Sequence, residues 1–203
     1  MLRGEKQQRG FTLIELMVVL AIAVIVITLS TPLSSMFQQN RVSSQVRAFA
    51  GALNLARSTA ITEGTCTSLC ISDGGNPADC KNTTADETIE AWNDGWLVFT
   101  DANCDATIDV GDDTLLLQFA GLPEGYTLRI ESTDDENKND RETITYQPSG
   151  LASSSAGTWT LCAPSGRDDL KRGIDISISG RVQSLTVEDA NGDENINLAD
   201  CPA

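Results

Sequence analysis

The sequence predicts an α+β protein in which a long N-terminal helix packs on an antiparallel β-sheet head. An apolar run begins at Phe11, and apolar residues then recur at three- and four-residue steps as far as Glu63, the period of a helix with one buried face. Beyond Gly64 the chain changes to short β-prone runs separated by Gly, Asn, Asp and Pro turns. The 203 residues leave room for one modest domain after the apolar run.

The apolar run, Arg9–Pro32, contains a carboxylate, Glu15, which its length alone does not explain. An ionised carboxylate deep in hydrocarbon costs roughly 2.5–3.5 kcal/mol. A secretory signal peptide would account for the basic residues before the run, but the carboxylate and the lack of a small-x-small cleavage site do not fit it. A plain membrane anchor of about 20 residues fits the length but does not explain the carboxylate.

The segment Gly10-Phe11-Thr12-Leu13-Ile14-Glu15 resembles the processing site of type IV prepilins and pseudopilins. The resemblance implies that residues 1–10 are a leader peptide, that a prepilin peptidase cleaves after Gly10, and that Phe11 is then N-methylated. It also implies that Glu15 neutralises the N-terminal ammonium of a neighbouring subunit during filament assembly. That role agrees with the energetics, because a paired buried charge costs far less than a lone one.

The predicted helix has two halves that differ in polarity. Residues 11–33 form the transmembrane half, and residues 34–63 form an amphipathic half with one face for the head. Pro32 is expected to break the hydrogen-bond ladder, and pilins often carry a proline at the corresponding place. Gly64 ends the helix, which gives a length of roughly 50 residues.

The remainder, residues 64–203, is predicted to be a β-rich head with a C-terminal extension at 188–203. The charged stretch at 131–142, ESTDDENKNDRE, is predicted to be a solvated loop. The predicted strands are Cys66–Ile71, Gly95–Thr100, Thr114–Phe119, Tyr126–Glu131, Thr143–Tyr146, Thr158–Cys162, Gly173–Ile178 and Val182–Val187.

Several stretches of the head resemble the GspH/FimT group of minor pilins and pseudopilins. The helix end fits an Ala-Arg-Ser-x-Ala-Ile pattern at 56–61, and a later strand is followed by Ser179-Gly180-Arg181. The resemblance covers most of residues 9–187 and implies a type IV pilin-like fold. It further implies a single pass through the inner membrane with the head in the periplasm, and later a place in a pilus or pseudopilus filament. The implied partners are the prepilin peptidase, the inner-membrane assembly platform, and other minor and major pilins or pseudopilins.

Six cysteines, all beyond the apolar run, indicate disulfides formed in an oxidising compartment. Six cysteines allow about 15 pairings, so the connectivity stays open. A zinc site at Cys66 and Cys70 is a rival interpretation, but no second pair at ligand spacing follows. The pairs that we expect are Cys70–Cys80, which closes a short loop, Cys162–Cys201, which holds the C-terminal extension, and Cys66–Cys104, which remains.

Two acidic loops have the spacing of a calcium-binding loop, with oxygen-bearing side chains at positions one, three, five, nine and twelve. Both depart from that pattern, since the turn position lacks Gly and the last ligand is Asp instead of Glu. A structural calcium and an Asx-rich turn that caps its own backbone are both open interpretations, and no other cofactor is required. The candidate ligands are Asp101, Asn103, Asp105, Asp109 and Asp112 in the first loop, and Asp189, Asn191, Asp193, Asn197 and Asp200 in the second.

The composition excludes whole classes of function. The chain has no His, which removes Ser-His-Asp and Cys-His catalysis, and its net charge of −15 argues against a broad nucleic-acid surface. Together with these exclusions, the resemblance implies a non-enzymatic minor pilin of a type IV pilus, which primes assembly or lies at the filament tip. One alternative is the H-type minor pseudopilin of a type II secretion system. Another is a FimT-like minor pilin that binds DNA through Arg181, with Lys171 and Arg172 nearby.

Overall fold

The computed structural model consists of two compact units, Met1–Gln39 and Asn40–Ala203. It describes residues 11–75, 78–81, 92–130, 142–153, 157–164, 168–186 and 201, with the side chains of 28–35 left out. The leader at 1–10, residues 131–141 of the charged stretch at 131–142, and the second acidic loop up to Asp200 therefore lie outside the described residues.

One helix, α1, runs over Leu13–Glu63 and has 51 residues, so the prediction of a single long N-terminal helix is confirmed. Gly64 follows it with φ +70°, and its amide donates to the carbonyl of Ala60 at 3.0 Å, as expected for a glycine that ends a helix. The break predicted at Pro32 is wrong, because the helix continues through this residue. A proline removes only its own amide donor, and the turns on either side can stay helical.

In the first unit the described apolar side chains lie on the surface of α1. From Leu13 to Ile27 every described side chain is exposed, whichever side of the helix it is on. A helix that is apolar all round does not have the single buried stripe of a soluble surface helix. By length and hydropathy, none of the helices in the described residues could cross a membrane.

In the second unit, α1 buries one face in the head. The buried residues recur at three- and four-residue steps, so the amphipathic pattern predicted the packing face correctly. Phe37, which shares this pattern, is 64% exposed and belongs to the first unit. The buried residues of this face are Val42, Val46, Phe49, Ala52, Leu53, Ala56 and Ala60.

The head contains two antiparallel sheets within the described residues, where the sequence predicted strands without dividing them. The first sheet has the order β3-β2-β1-β5-β6, and the second has the order β4-β7-β8-β9. The strands are β1 Cys66–Ile71, β2 Trp96–Asp101, β3 Leu115–Phe119, β4 Thr127–Ile130, β5 Thr143–Tyr146, β6 Ala152–Ser153, β7 Gly157–Cys162, β8 Arg172–Ile176 and β9 Val182–Leu185.

An aromatic cluster forms the centre of the head. Phe49 on α1 lies edge-on to Trp92 and Trp96, with ring centroids 5.6 and 5.0 Å apart. Trp159 on β7 is 5.4 Å from the same phenylalanine ring. These four rings are almost completely buried, so one helix residue connects the helix to both sheets.

Candidate functional site

The N-terminal processing segment enters the described residues at Phe11, whose side chain is 84% exposed, while Gly10 lies outside them. Thr12 caps the helix, because its carbonyl and its Oγ1 accept from the amide of Glu15 at 3.1 and 3.3 Å. Thr-x-x-Glu is the sequence signature of a capping box, so this cap could have been found from the sequence. Leu13, Ile14 and Glu15 of the motif therefore lie in the first turn of α1.

Glu15 projects from that first turn with an exposed side chain that has no partner among the described residues. A carboxylate near a helix N-terminus is favoured by the unpaired amides there. Its neighbours on the helix are aliphatic and exposed. The arrangement is suited to hold a cation in an apolar setting.

Three disulfides close the head: Cys66–Cys104, Cys70–Cys80 and Cys162–Cys201. They are the pairs that the sequence analysis expected, and the described residues contain no free cysteine. Cys66 and Cys70 go to different partners, which is incompatible with a zinc site that uses both thiolates. The Cys66–Cys104 bond attaches the first acidic loop to β1.

In the first acidic loop, the carboxylates accept hydrogen bonds from backbone amides of the same loop. Asp101 is fully buried, and its side chain accepts from the amides of Asp105 and Ala106 at 3.1 and 2.9 Å and from Ser68 Oγ at 2.6 Å. Asp113, which the sequence analysis did not select, accepts from two further loop amides. This bonding is that of the Asx-rich turn, one of the two interpretations left open.

The other predicted ligands of this loop also bond to one another. Asn103 Nδ2 donates to Asp105 Oδ2 and Asp109 Oδ2, both at 2.9 Å. The hydroxyl and amide of Thr107 donate to Asp105 and hold the pKa of its carboxyl below its usual value. Asp112 is exposed. The part of the chain that is described contains no group of three His, Cys, Asp or Glu residues suited to a metal ion.

The predicted DNA contacts lie near opposite ends of β8. Arg181 is exposed at the end of the β8–β9 turn, whereas Lys171 and Arg172 lie at the start of β8. Since Ile176 pairs with Val182 next to the turn, the length of β8 separates the two positions by about 13 Å. Arg172 Nη1 also donates to the carbonyl of Lys171 at 2.8 Å. A DNA contact through these three residues stays a prediction.

Arg57 has a role that the sequence did not reveal. Its Nε donates to the carbonyl of Gly150, and its Nη2 donates to that of Ser179, both at 3.1 Å. It therefore joins the end of α1 to the turn before β6 and to the β8–β9 turn. The partners lie 93 and 122 residues further along the chain, so no local pattern could have shown them.

Tyr146 lies under this junction with a fully buried side chain. Its hydroxyl has no hydrogen-bond partner among the described residues. Burial raises the pKa of Tyr146 to about 12, and the nearby charge of Arg57 opposes that shift only in part. The Ser-Gly-Arg and Ala-Arg-Ser motifs therefore meet at a structural junction above a neutral tyrosine.

A long N-terminal helix packed on antiparallel sheets, with a prepilin-type N-terminal segment, defines the class of type IV pilin-like proteins. Residues 6–31 match the prokaryotic N-terminal methylation motif. Residues 45–180 match the family model described as Type II transport protein GspH, which is more than half of the chain. The chain belongs to the GspH family. Its members are minor pilins and pseudopilins, which are structural components and not enzymes.

A solved structure shows the same fold, and a second one is also similar to this chain. The Pseudomonas aeruginosa type IV minor pilin FimU is 20% identical, with a TM-score of 0.50 over 73% of this chain and 90% of that one. The minor pseudopilin EpsH from the Type 2 Secretion System of Vibrio cholerae is 14% identical, with a TM-score of 0.47 over 72% of this chain and 97% of that one. No curated protein sequence matches.

Proposed function

We propose that this protein is a minor pilin of a type IV pilus, which primes assembly or lies at the filament tip. The observation that carries the proposal is Glu15, a carboxylate without a partner in the described residues, on a helix surface that is otherwise aliphatic and exposed. Such a surface needs a cover, and its carboxylate needs a cation. A neighbouring filament subunit with a free N-terminal ammonium supplies both.

The proposed sequence of events follows from that chemistry. Residues 11–33 insert in the inner membrane, with the head in the periplasm. The prepilin peptidase removes residues 1–10, and this exposes an ammonium at Phe11 that N-methylation leaves charged. The assembly platform then moves the subunit into a filament, where Glu15 pairs with a neighbour's ammonium. Assembly with other pilins or pseudopilins is what members of the family do.

Mass spectrometry of sheared pili and, separately, of the membrane fraction tests the proposal. A peptide that begins with methylated Phe11 in the sheared pili is the expected result. An intact leader at residues 1–10 in both fractions would overturn the proposal, because Glu15 would then have no ammonium to pair with.

The description of the matched family favours a second candidate, the H-type minor pseudopilin of a type II secretion system. The same measurement separates the two. Methylated Phe11 found only in membranes, with none in sheared pili, would identify a pseudopilus subunit.

A further inference from the structure

We propose that an exposed surface next to the Arg57 junction docks an acidic and partly apolar surface of a different subunit in the same filament. We call this surface the seam patch, and it consists of Ile61, Leu151, Ile178 and Arg181. The inference rests on the proposed function only in taking the partner to be a filament subunit.

The seam patch brings together three segments that are distant in sequence. The amide of Ala152, next to Leu151, donates to the carbonyl of Ile178 at 3.1 Å. Ile61 Cδ1 lies 2.9 Å from the point where a Cβ would sit on Gly150. The patch is therefore continuous from the end of α1 across both turns.

Its aliphatic side chains are exposed and lie close together. Ile178 is 72% exposed, Ile61 is 52% exposed and Leu151 is 44% exposed. A depression of about 520 Å³ on α1, which Leu55 and Ile61 line together with Arg57, extends the patch along the helix. Clustered exposed aliphatic side chains of this kind mark surfaces that a partner covers.

The charge of the patch indicates what the partner carries. Arg57 donates to two neutral carbonyls, and neither Arg57 nor Arg181 forms an ion pair within the described residues. Two guanidinium groups thus stand without a counterion on a chain whose net charge is −15. A carboxylate placed among apolar side chains complements them, and arginine suits such a contact well.

A protein partner fits this surface better than a nucleic acid or a second copy. Two cations beside three aliphatic side chains give few phosphate contacts and leave apolar surface uncovered against a polar backbone. In a symmetric contact between copies, the patch would face itself and bring like charges together. A different filament subunit avoids both conflicts.

The first experiment places a photo-crosslinking amino acid at Ile178 of the full chain in its native cells. A matched control places it at Val110, which is fully exposed on the first acidic loop and is not part of the patch. We expect a crosslink from position 178 to a different pilin or pseudopilin, at a segment that contains Asp or Glu. A crosslink only to nucleic acid, lipid or a second copy would overturn the proposal.

The second experiment changes the charge. Arg181→Glu is expected to lower crosslinking from position 178 at least about tenfold, because like charges would meet. Arg47→Glu, an equal change at an exposed position of α1, is expected to leave it unchanged. A basic residue at the crosslinked acidic position of the partner should restore crosslinking to Arg181→Glu, and failure of that rescue would count against charge pairing.

The two proposals fail in different ways. If methylated Phe11 is present in the filament fraction but position 178 gives no crosslink there, the docking surface is wrong and the filament role stands. If the leader is intact, the filament role is wrong, and the proposal that the docking partner is a filament subunit is then wrong as well.

Discussion

Ala106 has a backbone conformation that L-amino acids avoid, with φ 64° in the first acidic loop. The left-handed region costs a non-glycine residue roughly 1–2 kcal/mol, which a glycine would not lose. Part of this stabilisation is offset, because glycine has a larger conformational entropy in the unfolded state. We expect Ala106→Gly to stabilise the protein by about 0.5–1 kcal/mol and to raise its melting temperature by about 1–4 °C. Thermal unfolding of the disulfide-bonded protein, followed by near-UV circular dichroism, measures this change.

Ala102 provides the control for this substitution. It lies in the same loop, it is exposed, and its φ is not positive. Ala102→Gly gains nothing from the left-handed region, so it should be neutral or slightly destabilising. Equal stabilisation by both substitutions would show that the loop conformation at Ala106 is not the cause.

Tyr146 is expected to make the head less stable as the pH rises into the alkaline range. Burial raises the pKa of Tyr146 to about 12 in the folded protein, whereas an unfolded tyrosine ionises near its ordinary value of about 10. Between those values the unfolded state loses its proton first, so stability falls as pH rises. We expect Tyr146→Phe to change stability by less than about 1 kcal/mol at pH 7, since the hydroxyl has no described partner, and to remove roughly 2 kcal/mol of the alkaline loss.

Urea unfolding of the two proteins at pH 7 and at pH 11 to 12 checks this expectation. Tyr126→Phe is the matched control, because Tyr126 is the other tyrosine of the chain. It should keep the alkaline loss that Tyr146→Phe removes. An identical pH profile for Tyr146→Phe and the unmodified protein would place the alkaline sensitivity elsewhere.

At the scale of elements, the β8–β9 turn depends on Gly180. Its φ is +75°, and a Cβ there would overlap the carbonyl oxygen of Gly150 and approach Arg57 Nε to 3.1 Å. We expect Gly180→Ala to cost about 2–4 kcal/mol, the sum of backbone strain and overpacking against rigid backbone. Gly64→Ala has a similar φ of +70° and open space, so it should cost only about 1 kcal/mol in chemical denaturation.

The difference between these two variants isolates the contact from the conformation. If both cost the same, the turn moves away from α1 without penalty, and the junction around Arg57 is not rigid. A larger loss in the free energy of unfolding for Gly180→Ala, accompanied by a change in the absorbance of Tyr146, would show that the junction around Arg57 is rigid.

The elements of the fold were largely predictable because their signals are local. The start and end of β1 and β5 agree with the predicted strands, and the other long strands differ by one or two residues at one or both ends. Alternating and β-branched runs bounded by Gly and Asp define such strands without tertiary information. The two-residue β6 was missed, since a strand that short has no periodicity of its own.

The arrangement of those elements was not predictable for a physical reason. The division into two sheets, the Arg57 bridges and the exposed seam patch all depend on contacts between residues far apart in sequence. The acidic loop shows the same limit, because calcium ligands and Asx turns require the same residue types at the same spacing. The bonds of Asp101 show that the loop caps its own backbone, and the calcium site stays a prediction.

For the molecule as a whole, the proposed function makes Glu15 the residue that decides whether the subunit remains in the membrane or enters a filament. We expect Glu15→Leu to be cleaved and methylated normally, since both reactions act at Gly10 and Phe11, but to fall at least about tenfold in sheared filaments. A lone ammonium buried in the filament core would have lost its counterion, which costs about 3–5 kcal/mol for a buried pair. Quantitative mass spectrometry of the methylated Phe11 peptide in the two fractions measures the ratio.

Glu63→Gln is the control, because it removes the same charge at the exposed C-terminal end of α1 and should leave the ratio unchanged. Glu15→Asp keeps the charge on a shorter side chain and should restore part of the incorporation. Normal filament content for Glu15→Leu would mean that the ammonium finds its partner elsewhere. The exposed aliphatic surface of α1 would then be sufficient for assembly, and the carboxylate would need a different role.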